Sequence, residues 1–208
     1  MSLTELFKTS LKTLRDLDCT FAVAGGFAAD LYRKQTRGTN DIDYLFLAEG
    51  SGIRLGKEML TKLKLGTGEV RLHQLSRTPR MNKKSQEVYI LVGRSADQEL
   101  GVDLLLPPFP WFEKALERAQ ANLVDFGFGA IPTITAEDVV LSKLFAGRPK
   151  DHDDIISIFE SARVLDLVYL AGEMERLGFI LPEATLSLAP KALRVLTKRK
   201  KVKKKPFP

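Results

Sequence analysis

The 208-residue chain reads as an α/β protein: a mixed β-sheet flanked by helices, followed by a mainly helical C-terminal part. Three observations predict this class. Short apolar runs rich in aromatic and branched residues alternate, up to about residue 106, with stretches whose apolar residues recur at helical spacing. A glycine pair closes the first of those runs and a helical composition follows it directly. From Trp111 onward the strand-like runs stop and helical periodicity dominates.

The elements follow in order. Ser2 and Glu5 make a capping-box pattern, and Leu3, Leu6, Phe7, Leu11, Leu14 and Leu17 recur as the apolar stripe of an opening helix. Phe21-Ala22-Val23-Ala24 reads as a strand, Gly25-Gly26 as a tight turn, and Phe27 to Tyr32 as a helix. Thr36 to Asn40 is a polar loop, and Ile42 to Leu47 the next strand. Ile53, Leu55, Met59, Leu60 and Leu63 support a helix between Gly52 and Lys64. Glu69 to Leu75 and Val88 to Val92 look like strands joined by a basic loop, Arg77 to Lys84, which is either a solvated hairpin tip or an acceptor-binding element. Val102 to Leu106 forms a further strand, stopped by Pro107-Pro108, which cannot donate into a ladder.

In the second half, Thr135 with Asp138 three residues later marks the start of a helix running to Ala146. Another helix begins near Asp151, and one from Leu165 to Leu177 ends at Gly178. The apolar stripe Val164, Leu165, Leu167, Val168, Leu170, Ala171 and Met174 either covers the α/β core or makes a dimer contact; packing on the core is the expectation. The organisation expected is an α/β core over 1–110, a mainly helical part over 111–197 that completes the cleft, and a basic tail over 198–208.

Composition narrows the function classes. With 44% apolar and 28% charged residues the chain is neither collagen-like, low-complexity nor wholly disordered. Cys19 is its one cysteine, so no intrachain disulfide forms, and with two histidines it cannot build an ordinary zinc site. No basic segment followed by an apolar run opens the sequence, and no stretch reaches the length of a membrane span. A cytoplasmic protein without membrane contact is expected. The formal charge of +6 points to an anionic partner, yet seven basic residues lie in Lys198 to Lys205, and the rest of the chain has one more acidic than basic residue. That tail is either a solvated end or a salt-dependent tether for a polyanion such as tRNA.

The residues that carry chemistry are carboxylates. In a strand, residues two apart share a face, so Asp41 and Asp43 can aim at one point if Asp41 opens the strand. Such a pair repels unless a cation lies between its members, and magnesium prefers such oxygens. Asp103, inside the apolar run Val102 to Leu106, is costly to bury uncompensated; an edge-strand carboxylate facing water is the alternative. Three acids converging from two strands suit a two-metal site acting on phosphate. Gly25-Gly26 lets the backbone approach a phosphate at a helix N-terminus, or simply supplies a turn of positive φ. It matches neither the dinucleotide fingerprint nor a P-loop.

Val23-Ala24-Gly25-Gly26-Phe27-Ala28-Ala29-Asp30, followed by Arg37-Gly38-Thr39-Asn40-Asp41-Ile42-Asp43, resembles the signature of the nucleotidyltransferase superfamily with a polymerase-beta-type core. The AbiEii-type toxin nucleotidyltransferases and the small antibiotic nucleotidyltransferases are its nearest echoes. Leu141 to Ile155, with Lys143 leading into Arg148-Pro149-Lys150-Asp151-His152-Asp153-Asp154, resembles the second block of the toxin-like proteins. The resemblance spans residues 20–160.

It implies a nucleotidyltransferase-type mixed sheet and a set of roles. Gly25 and Gly26 hold the phosphates of an NTP. Asp41 and Asp43 bind two magnesium ions, and Asp103 completes the metal site and helps deprotonate the acceptor hydroxyl. Lys143 contacts the triphosphate or base as a mobile point charge, assisted by Arg37 and Arg148. Asp151 and Asp154, three apart, position Lys143, Arg148 or the acceptor; as residues alone they equally suit an acid-rich helix start.

The function expected is magnesium-dependent transfer of a nucleoside monophosphate from an NTP to a hydroxyl of tRNA, a protein or a small molecule, in a toxin–antitoxin setting or another. The rival from a different class is a non-catalytic module of the same fold that binds nucleic acid or a partner protein.

Overall fold

A computed structural model describes residues 1–17, 19–48, 50–73, 87–161 and 164–194. The opening helix, α1 (Leu3–Arg15), starts where the capping box places it. The Ser2 hydroxyl accepts from the Glu5 N–H, and the Glu5 carboxylate accepts from the Ser2 N–H, so two open donors at the helix start are satisfied reciprocally. Strand β1 (Cys19–Ala24) runs straight into α2 (Gly25–Tyr32). Gly25 at φ +57 makes that turn, in a backbone region that side chains disfavour. Then come β2 (Asp41–Ala48), α3 (Gly52–Lys62), β3 (Gly66–His73), β4 (Glu87–Arg94) and β5 (Gly101–Leu106).

These strands form one sheet in the order β1-β2-β5-β4-β3. β2 and β5 run parallel, while the other three neighbouring pairs are antiparallel. The mixed sheet with flanking helices is the class the sequence predicts. Ile42, Tyr44 and Phe46 join Val102, Leu104 and Leu106 on the face that packs against Leu6, Phe7, Leu11 and Leu14 of α1 and Met59 and Leu60 of α3. Leu45 and Val88 turn to the opposite face and share a core with α2 and with the helices of the second half. Because alternate residues share a face, Asp41, Asp43 and Asp103 lie on that second face.

The second half holds α4 (Phe112–Ala121), α5 (Ala136–Ala146), α6 (Pro149–Glu160) and α7 (Leu167–Leu177). A two-stranded hairpin of β6 (Leu123–Asp125) and β7 (Ala130–Pro132) interrupts them, in the part that the sequence reading expects to be mainly helical and in which it names no strand. Three-residue strands carry too little periodicity to be read. The hairpin is held instead by tertiary contact and by its own turn. Phe126 and Phe128 pack on Phe7 with ring centroids 5.3 and 5.2 Å away, and the Asp125 carboxylate accepts from the N–H groups of Gly127 and Gly129.

Thr135 caps α5 as expected, accepting from the Asp138 N–H. α6 starts two residues before Asp151, with Pro149 in its first turn, and α7 starts at Leu167 behind an Asp166 cap. Arg118 of α4 ties three helices together: its guanidinium lies 3.8 Å from the centroid of the Tyr169 ring of α7 and pairs with Glu137 and Asp138 of α5. Leu170 and Met174 are buried and Leu165, Leu167 and Ala171 pack against the core, whereas Val164 and Val168 are 98% and 86% exposed. The apolar stripe therefore covers the core along one side only. The basic loop Arg77 to Lys84 and the tail 198–208 lie outside the described residues. Among the described residues no helix is long and apolar enough to cross a membrane.

Candidate active site

The parallel pairing of β2 with β5 sets Asp43 directly opposite Asp103 and Asp41 opposite Gly101. The first strand starts at Asp41, so both of its acids share a face with Asp103, as the alternation requires. Gly25 closes the third side. A Cβ built there runs into the Asp43 carboxylate, and the Gly26 N–H donates to Asp43 Oδ2 at 3.4 Å. A Cβ at Gly26 comes within 2.9 Å of the Thr39 side chain. Gly25 thus supplies the turn of positive φ, and its bare backbone lets that turn lie against the Asp43 carboxylate.

Burial pushes the Asp43 carboxyl up to about 6; the Asp103 and Asp41 charges add to this, while the Gly26 N–H and Lys143 oppose it. Burial also raises Asp103 above the ordinary carboxylate range, despite its pairing with Arg94.

Cations line the facing wall. Lys143 of α5 is buried with its Nζ 2.7 Å from Asp154 Oδ2 and 3.3 Å from Asp151 Oδ1. Arg148 Nε lies 2.7 Å from Asp151 Oδ2, and the Arg148 backbone N–H donates to the same oxygen. Buried Arg33 bridges Asp30 and Asp154, and Arg37 Nη2 approaches Asp154 Oδ2 at 3.4 Å. Burial pushes Asp151 up, but Arg148 and Lys143 outweigh it and hold the carboxyl below its ordinary value. Asp151 pairs with both Lys143 and Arg148, and Asp154 pairs with Lys143. The Lys143 ammonium thus has two buried carboxylate partners.

Between the walls lies a cavity of about 550 Å³. Gly25, Gly26, Asp41, Asp43, Asp103, Arg37, Lys143 and Arg148 all line it, and Asp151 and Asp154 pair with Lys143 without lining it. Gly38, Thr39, Asn40 and Lys150 also line it. The reading of the sequence gives them no role, although Lys150 sits inside the basic-acidic block.

Arg94 is the larger omission. At the end of β4 it pairs with Asp103 through both guanidinium Nη atoms, Nη2 lying 3.2 Å from Oδ2, and its Nη1 lies 3.9 Å from Asp41 Oδ1. Asp41, Asp43 and Asp103 are oxygen-only anionic donors, so in chemical type they fit magnesium. As the side chains stand, however, no three acidic, imidazole or thiol groups among the described residues gather around one point; the cation beside Asp103 and Asp41 is the guanidinium.

No protein family and no curated protein matches the chain. Among solved structures it is similar to the antibiotic-resistance factor ANT(2'')-Ia, at 16% identity and a TM-score of 0.44, covering 97% of this chain and 93% of that one. A proposed nucleotidyltransferase from H. pylori is similar at 14% identity and a TM-score of 0.45, covering 98% and 97%. The polymerase core of TRAMP, an RNA surveillance complex, is similar at 13% identity and a TM-score of 0.34, covering 83% of this chain and 56% of that one.

Proposed function

We propose that the chain is a magnesium-dependent nucleotidyltransferase, moving a nucleoside monophosphate from an NTP to a hydroxyl with release of pyrophosphate. One observation carries this reading: the carboxylates of Asp41, Asp43 and Asp103 and the cations Arg37, Lys143, Arg148 and Lys150 line the same cavity, beside the bare Gly25-Gly26 turn. A cavity lined by both acids and cations suits a polyanionic substrate whose charge the cations would neutralise and whose counter-ions the acids would hold.

In this reading the α2 N-terminus, which has no side-chain cap, presents backbone N–H groups to the phosphates. Lys143, fixed by Asp151 and Asp154, supplies a preorganised charge at the triphosphate, with Arg37, Arg148 and Lys150 around it. Asp41, Asp43 and Asp103 would hold two magnesium ions, whose charge would neutralise phosphate oxygens and make the acceptor hydroxyl more acidic. Asp103 accepts the hydroxyl proton as the new oxygen–phosphorus bond forms at the α-phosphate. The bond from that phosphorus to the β-phosphate oxygen breaks, and pyrophosphate departs. No covalent enzyme intermediate is required. The acceptor is tRNA, a protein or a small molecule, and the setting is the cytoplasm.

The test incubates the protein with magnesium and each labelled NTP against tRNA, total cell protein, and aminoglycosides and lincosamides. One acceptor class should be labelled, and Asp41→Asn should lose that labelling. If no acceptor is labelled, and Asp41→Asn leaves NTP and metal binding as in the wild type, the chain is a non-catalytic module instead.

A further inference from the structure

We propose that Arg94 is an internal counter-cation that competes with the metal ions for Asp103 and Asp41, and so sets the metal concentration at which the site assembles. The inference rests on the nucleotidyltransferase reading above and goes beyond it, because that reading assigns Arg94 no part.

The strand register carries the argument. Arg94 of β4 pairs with Gly101 of β5, which in turn pairs with Asp41 of β2, so these three residues form one row across the sheet. Val92, Asp103 and Asp43 form the next row on the same face, two residues along. Cross-strand partners share a face, so Arg94 points to the side that carries all three acids. Gly101 sits between Arg94 and Asp41 without a side chain, and a Cβ built there runs into both Asp41 Oδ1 and Arg94 Nη1. The glycine is therefore a saddle over which the guanidinium reaches across a whole strand. From there it engages both oxygens of Asp103 and stands 3.9 Å from Asp41.

A planar guanidinium fork matches a carboxylate in this bidentate manner and stays charged at every working pH. Both Asp103 oxygens are thereby occupied on the face a metal must approach, and a fixed positive charge repels an incoming divalent ion. The same contact explains why three acids on one face do not gather around one point as the side chains stand. Metal entry requires the Arg94–Asp103 pair to open. Arg94 is a positioning residue here: it acts through Asp103 rather than on substrate.

The experiment measures Mn²⁺ binding to the full chain by electron paramagnetic resonance, with and without a non-hydrolysable NTP analogue, and follows the fold by circular dichroism. Arg94→Gln should bind Mn²⁺ roughly tenfold more tightly than the wild type, the size of effect a close opposite charge has on a carboxylate's cation affinity. Arg94→Lys keeps a cation but not the fork, so it should fall between the two; it carries the comparison if the glutamine variant does not fold. Equal or weaker Mn²⁺ binding by folded variants, with the wild type binding measurably, overturns the role of Arg94 and leaves the nucleotidyltransferase reading standing. No Mn²⁺ binding by any of the proteins, even with the analogue present, overturns both.

Discussion

Asp43 of β2 and Asp103 of β5 face each other across the parallel strand pair, and the fold keeps two acids in register on one face. That arrangement costs stability in the absence of a metal, and the cost depends on pH. In the folded chain Asp43 holds its proton up to about 6, against an ordinary value of 3.8. The folded state therefore binds more protons than the unfolded one between these values, so stability falls as pH rises through that window. In metal-free buffer Asp43→Asn should be more stable than the wild type at pH 7.5 by about 3 kcal/mol, a gain that fades toward pH 4. Melting curves at both pH values check this. A gain of equal size at pH 4 would show that ionisation of Asp43 is not its cause.

Lys143 neutralises two carboxylates that are both buried. Removing one partner of a buried ion pair leaves charge uncompensated, so Lys143→Met should cost about 3 kcal/mol of stability. Adding Asp154→Asn should give back at least about 1 kcal/mol of the summed losses, because the two residues share one network. Chemical denaturation of the two single variants and the double variant measures that coupling.

Gly25→Ala and Gly147→Ala separate backbone strain from collision. Both positions have positive φ, +57 and +64, and placing alanine there costs about 1–2 kcal/mol from backbone sterics alone. Beyond Gly147 the nearest atom to a new Cβ is 3.9 Å away, whereas at Gly25 the Cβ meets the Asp43 carboxylate. Gly25→Ala should therefore be the more destabilising by about 2 kcal/mol, on the scale of overpacking a filled site, and should lose NTP binding as well. Thermal melts and a fluorescent-NTP titration test the two effects separately.

Lys150 and Arg148 line the same cavity and are both exposed, but they do different things for the fold. Arg148 holds Asp151 at the start of α6 through its Nε and its backbone N–H. Lys150→Ala should raise the KM for the NTP by roughly tenfold, the worth of one hydrogen bond to a charged group, without moving the melting temperature. Arg148→Ala should do both. Steady-state kinetics beside melting curves distinguish them; an unchanged KM in Lys150→Ala would remove that residue from the site.

Much of the site was legible because its determinants are local. Asp41 and Asp43 follow from the two-residue strand period, the Gly25-Gly26 turn from the residue type, and the shared face of Asp151 and Asp154 from a three-residue helical offset. The Thr135 cap is equally local. Arg94 was not legible, because nothing within a few residues of it distinguishes it from a surface arginine at a strand end. Its meaning comes from the order β2-β5-β4, which places residues 94, 101 and 41 in one row. Arg33 is hidden for the same reason: its partner Asp154 is 121 residues away in sequence. The β6–β7 hairpin escaped because three-residue strands have no period to read.

What the chain's residues determine unaided is the kind of chemistry: acids two apart on a strand, a side-chain-free turn, and a cationic helix segment, each set by spacing alone. Which charges meet is decided by tertiary structure, because strand order and register are long-range properties that bring distant residues within a few ångströms. In that packing Lys143 meets Asp151 and Asp154, two buried carboxylates. There too Asp103 acquires Arg94, a partner that Gly101 admits only because it leaves room for a guanidinium to cross the strand.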